Sequence, residues 1–156
     1  MIQKNKTALQ KATDLLSRQD QSEKILRQKL LARKYEESEI DDAINKLKKY
    51  SYLNDEETCA RLFESLYSEE KLSIKQIQMK LIQRGYNSDF VENLIPADTY
   101  EHEYNAALKI ATKKFAGKIS TDLKFKQKIW QHLASKGFNS EIISDVIKKI
   151  LNDDRD

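Results

Sequence analysis

The sequence predicts an all-α protein: three tandem three-helix repeats forming an elongated, curved array of right- or left-handed sense. Three observations predict it. A unit of about fifty residues recurs along the chain, the mark of a repeat architecture. Apolar residues within each unit fall at helical spacing. The 156 residues include only three Gly and one Pro, so little interrupts a helix, and strand signals are nearly absent.

The repeat is clearest in a window that aligns without a gap: Ser22 to Tyr35, Ser73 to Tyr86, and Phe125 to Phe138. Leu26, Ile77 and Ile129 share one position, Leu30, Leu81 and Leu133 another, and an aromatic closes each window. In chain order, the first repeat opens with a helix over 8–18, continues with the window helix and ends with a helix whose apolar face is Ile40 and Ile44. The second has a helix over 56–68, a window helix opened by a Ser73–Gln76 capping box, and a third helix capped by Asn87 with Val91 and Ile95 on its face. The third has a helix over 100–115, the window from Phe125, and a helix capped by Asn139 with Ile143 and Ile147. Glu36 is a weaker counterpart of the two Asn caps.

Gly85 and Gly137 fall just past their window helices, where a left-handed residue ends a helix without steric cost. Lys34 stands in that place in the first repeat, so a different turn geometry is expected there. Pro96 followed by Ala97, Asp98 and Thr99 predicts a linker, and it is where a hinge would fall. The repeats are assigned to 1–53, 54–97 and 98–156. A unit this small buries a limited core, so stacking between units is expected to supply part of the stability.

Several function classes find no support. The histidines, His102 and His132, lack Cys or carboxylate partners at zinc or triad spacing and read as ordinary surface residues. Three scattered glycines cannot form a phosphate loop, and the acidic runs Glu36-Glu37 and Asp41-Asp42 hold a divalent ion only if the fold converges them. No enzymatic activity, metal or cofactor is expected. The lone cysteine, Cys59, lies among Ala60, Leu62 and Phe63 and reads as a packing residue. No stretch has the apolar length to span a bilayer, and residues 1–6 lack the apolar core of a signal peptide, so a cytoplasmic protein is expected.

Charge follows the repeat. The net charge is only +3, yet residues 22–34 are basic and 36–47 acidic, and the second repeat does the same. Lys29 and Arg33, Lys80 and Arg84, and His132 and Lys136 occupy the same two positions of the three window helices. Like charges four residues apart cost a helix about 0.2–0.5 kcal/mol per pair, so a polyanionic partner is one reason to keep them. Pairing with the acidic third helix of the same unit is the other. Tyr50, Tyr52, Phe63, Tyr67, Phe115 and Phe125 read mostly as core, while Trp130 aligns with Arg27 and Gln78 and is expected to be partly exposed.

Two further patterns carry a resemblance. Tyr52, Leu53, Asn54, Asp55 and Glu56 lead into Cys59 and Ala60, and a pattern of apolar, Lys-Leu, basic, Gly and aromatic reads Ile77, Lys80, Leu81, Arg84, Gly85 and Tyr86. Their order and spacing, over roughly residues 8–151, resemble the RecX family. That resemblance implies a non-enzymatic modulator that binds the RecA filament on single-stranded DNA, lies along its groove and mainly inhibits its ATPase, recombinase and co-protease activities. It also implies a place in DNA repair, homologous recombination and the SOS response. The chain departs from the family at 68–73, where Ser68, Glu69, Glu70, Lys71, Leu72 and Ser73 replace an Arg- and Gly-containing turn.

The candidate contacts are Lys29, Arg33, Lys75, Lys80, Arg84 and Lys136, with the central repeat the best placed. The expected partner is the RecA filament, with weak direct DNA binding at most and the chain acting as a monomer. The competing reading is a helix-turn-helix-like regulator that sets one helix in the major groove; acidic third helices in the first two repeats oppose it.

Overall fold

In the computed structural model, which describes residues 6–153, nine helices and no strand are present among the described residues. The first repeat holds α1 (Ala8–Arg18), α2 (Glu23–Ala32) and α3 (Glu37–Lys49). The second holds α4 (Asp55–Glu69), α5 (Ile74–Gln83) and α6 (Ser88–Leu94), and the third α7 (Tyr100–Lys114), α8 (Leu123–Ser135) and α9 (Ser140–Asp153). Residues 1–5, on which the signal-peptide reading mainly falls, lie outside the described residues. No helix among the described residues is long and apolar enough to cross a membrane.

Each repeat closes a core of its own. Ala12, Leu26, Leu30, Ile40 and Ile44 form the first, Cys59, Phe63, Ile77, Leu81 and Val91 the second, and Ala107, Ile129, Leu133, Ile143 and Val146 the third. The aligned positions Leu26, Ile77, Ile129, Leu30, Leu81 and Leu133 are all 0% exposed. Cys59 is buried in the second core, which raises its thiol pKa above the usual value by desolvation. The close helix-to-helix packing lies within the repeats.

One turn ends all three window helices. Gly85 has φ +89, Gly137 φ +93 and Lys34 φ +65. The Tyr35 N–H donates to the Leu30 carbonyl, Tyr86 to Leu81 and Phe138 to Leu133, while residues 34, 85 and 137 donate three residues back. This is a Schellman closure, with the aromatic folding over the buried leucine at the end of the helix. Lys34 therefore keeps the geometry of its glycine counterparts, contrary to the expectation of a different turn.

The third helices are less uniform. Asn87 accepts from the Asp89 N–H and Asn139 from the Ile142 N–H, and the Glu36 N–H donates to the Glu39 carboxylate at 3.1 Å. α6 stops at Leu94, a turn or more short of α3 and α9. Pro96 is the cause: it forces Ile95 into an extended conformation, φ −70 and ψ 124, and ends the helix. Tyr50 and Tyr52 depart from the core reading, being 65% and 74% exposed, because they belong to the turn after α3, where only Leu53 reaches the core.

Candidate partner-binding surface

The repeats are joined end to end through their middle helices. Ser22, which caps α2, donates its hydroxyl to the carbonyl of Arg84 at the end of α5, 2.6 Å away. Ser73, which caps α5, donates in the same way to the carbonyl of Lys136 at the end of α8, 2.5 Å away. Beside each serine, the first N–H of the helix meets a carboxylate from the opening helix of the next repeat. Glu23 N–H donates to Asp55 at 3.0 Å, and Ile74 N–H to Glu103 at 3.0 Å. A helix N-terminus thus receives a carboxylate and a carbonyl, both of which suit its partial positive charge.

The serines at these joints are buried. Ser22 is 1% and Ser73 0% exposed, and burial raises the carboxyl pKa of both Asp55 and Glu103 against the hydrogen bonds that lower it. His102, read from sequence as a surface residue, is buried at the second joint. Its ring stacks on Tyr67 at 4.2 Å and its Nε2 lies 3.0 Å from the Leu72 carbonyl. A carbonyl only accepts, so Nε2 carries the proton.

The candidate cations sort by these joints. Lys29 and Arg84 line a cavity of about 240 Å³ at the first, together with Asp20, Gln21 and Tyr86. Lys136 lines a larger groove, about 550 Å³, at the second, where the Lys75 side chain also packs beside Gly137. Arg33 and Lys80 lie in neither and are exposed. Lys29 donates to Gln21 Oε1 at 2.8 Å and Arg33 to the Lys29 carbonyl at 2.8 Å.

None of the six forms an ion pair among the described residues. The pairing with the acidic third helix is realised at Arg27, which reaches Asp41 at 2.5 Å, and not at the candidates. Alongside them the central helix α5 exposes Met79 and Ile82, which share a helical face with Lys75. Trp130 is 39% exposed, as its aligned neighbours predict.

The sequence reading missed Lys71, Lys109, Lys113 and Lys114, which surround the groove at the second joint with His132. Lys109 and Lys113, one turn apart on α7, were the available signal. Desolvation, with Lys136 and Lys114 nearby, lowers the His132 pKa below its ordinary value. No group of three or more metal-ligating side chains is found among the described residues.

Three three-helix units, coupled through helix ends, with basic side chains gathered at the joints, define a tandem helical-repeat protein. Family profiles described as the first and third three-helix domains of RecX match residues 8–47 and 101–147. The regulatory protein RecX of Clostridium beijerinckii is 33% identical over 152 residues, covering 93% of this chain and 68% of its own. That of Haemophilus influenzae is 31% identical over 140 residues, covering 86% and 88%. The crystal structure of RecX from Lactobacillus salivarius superposes with a TM-score of 0.76 over 92% of this chain and 94% of its own, at 22% identity. The chain belongs to the RecX family, whose members carry the name regulatory protein.

Proposed function

We propose that this protein is a non-enzymatic regulator that binds the RecA filament on single-stranded DNA and mainly restrains its ATP hydrolysis, recombinase and co-protease activities. The observation that carries the reading is the set of basic residues, Lys29, Arg33, Lys75, Lys80, Arg84 and Lys136, that recur along the repeats with no internal ion partner among the described residues. Cations that make no ion pair within the fold, though Arg84 acts on Asp20 and Lys75 on Glu103 from farther off, retain an electrostatic attraction for an external polyanion. Weak contacts at several points on one filament then reinforce one another through effective concentration. The protein acts as a monomer in the cytoplasm and needs no cofactor.

The experiment is sedimentation of preformed RecA–DNA filaments with increasing amounts of the protein, beside its binding to DNA alone across a salt series. Co-sedimentation well below one protein per RecA, with weak and salt-sensitive binding to free DNA, is expected. Each phosphate contact would add about −0.9 to the salt slope on duplex and −0.7 on a single strand. No filament binding, with tight sequence-selective duplex binding instead, would support the helix-turn-helix-like alternative. The acidic openings of α3, with Glu37 and Glu39, and of α6, with Asp89, weigh against that reading.

A further inference from the structure

The two joints are built alike but charged differently. At the first, Asp20 precedes α2 and accepts from Arg61 of α4 at 2.9 Å, which holds the Asp20 carboxyl below its usual pKa. At the second, the aligned residue before α5 is Lys71, and Lys109 of α7 takes the place of Arg61. A carboxylate has become a lysine, and Lys109 turns to Glu70 instead, which leaves the lining of the groove with a surplus of positive charge.

What remains is a basic groove. Lys71, Lys109, Lys113, Lys114 and Lys136 line about 550 Å³ of open volume. Lys71 meets Glu69 at 3.6 Å through exposed side chains, a pair that contributes little, and Lys109 meets the half-buried Glu70 at 3.7 Å. Lys113, Lys114 and Lys136 have no ion partner among the described residues.

The groove is apolar between its charges. Leu72 and Ile110, both half-buried, line it, and lysine stems extend apolar surface from them. Its cations are lysines, not the arginines that grip phosphate in a bidentate fork, and its one ring is the His132 imidazole, which Phe115 meets edge-on. A nucleic-acid strand gains from aromatic platforms that this groove lacks. A segment alternating carboxylates with an aliphatic side chain matches both its charge and its floor.

We propose that the groove between the second and third repeats is a docking site for an acidic peptide segment of a partner protein, seated by an aliphatic side chain against Leu72 and Ile110. This inference stands apart from the filament reading, since it concerns lysines outside that set, Lys136 excepted. The probes are fluorescent peptides of alternating Glu and Leu, the same peptide with Gln for Glu, a Glu-Ser peptide, and a thymidine oligonucleotide, each titrated by anisotropy. The Glu-Leu peptide should bind about tenfold more tightly than either altered peptide, and more tightly than the oligonucleotide. Lys113→Glu with Lys114→Glu, both exposed, should weaken it about tenfold or more, while Lys46→Glu on α3 leaves it unchanged. Unchanged circular dichroism would show that the variants fold. Preference for the oligonucleotide, equal binding of the Gln peptide, or an equal loss with Lys46→Glu would each overturn the proposal.

Discussion

Replacing Gly85 by alanine tests the joint between the first two repeats. A Cβ at residue 85 would sit 2.4 Å from Ser22 Oγ and 3.1 Å from Ile25 Cγ1, and the backbone there has φ +89. The left-handed conformation alone costs a residue with a Cβ about 1–2 kcal/mol. Displacing the Ser22 hydroxyl from the Arg84 carbonyl leaves buried polar groups unpaired, a further cost of about 1–3 kcal/mol. The sum is about 2–5 kcal/mol. Gly117 is the control, because it has φ +73 and nothing within 4 Å of a built Cβ, so its alanine variant pays the backbone term of about 1–2 kcal/mol alone.

Urea unfolding followed by circular dichroism measures the total. Amide exchange at Glu23, whose N–H is held by Asp55, separates loss of docking from loss of the fold. Gly85→Ala should speed exchange at Glu23, and Gly117→Ala should not. In the background of Ser22→Ala the Gly85→Ala penalty should shrink, because the atom it strikes is absent. Equal losses for the two glycine variants, or full additivity with Ser22→Ala, would refute the close approach.

Three other outcomes follow from the same geometry. Lys34→Gly should raise stability by a few tenths to about 1 kcal/mol in the same urea assay, since strain at φ +65 is relieved while the unfolded chain gains entropy. Asp20→Asn should flatten the acid limb of stability: Arg61 lowers the Asp20 pKa, so the pair contributes above the usual carboxylate value and is lost as pH falls through the lowered one. Exposure keeps that effect below about 1 kcal/mol, to be read from thermal melts across acid pH. Cys59, buried with its thiol pKa raised, should resist a thiol-labelling reagent in buffer and react at once in urea; rapid native labelling would contradict the second core.

The repeat made most of the fold legible. Helix faces, caps and the glycine-aromatic closures are local, and local chemistry specifies them; even Lys34 obeys the closure, because Tyr35 still folds back toward Leu30. Pro96 was visible, but the shortening of α6 came from its effect on Ile95. The joints were not legible. Ser73 read as a helix cap and Ser22 as the start of the aligned window, and nothing in sequence shows their hydroxyls reaching carbonyls 63 and 62 residues away. For the same reason the basic pairs read only as two shared positions along each window helix. Arg33, Arg84 and Lys136 instead end their helices, and the latter two turn into the joints. His102 was misread because its burial depends on Tyr67 and Leu72 of the preceding repeat, contacts made between repeats.

The most direct test of the filament reading is RecA's single-strand-dependent ATP hydrolysis, titrated with the wild-type protein and with Lys80→Glu/Arg84→Glu. The wild type should inhibit well below RecA stoichiometry, and the double reversal, with helix content intact, should need about tenfold more protein for the same inhibition. Inhibition by the folded double variant at the wild-type concentration would contradict the assignment of these cations, and no inhibition by the wild type would contradict the function itself.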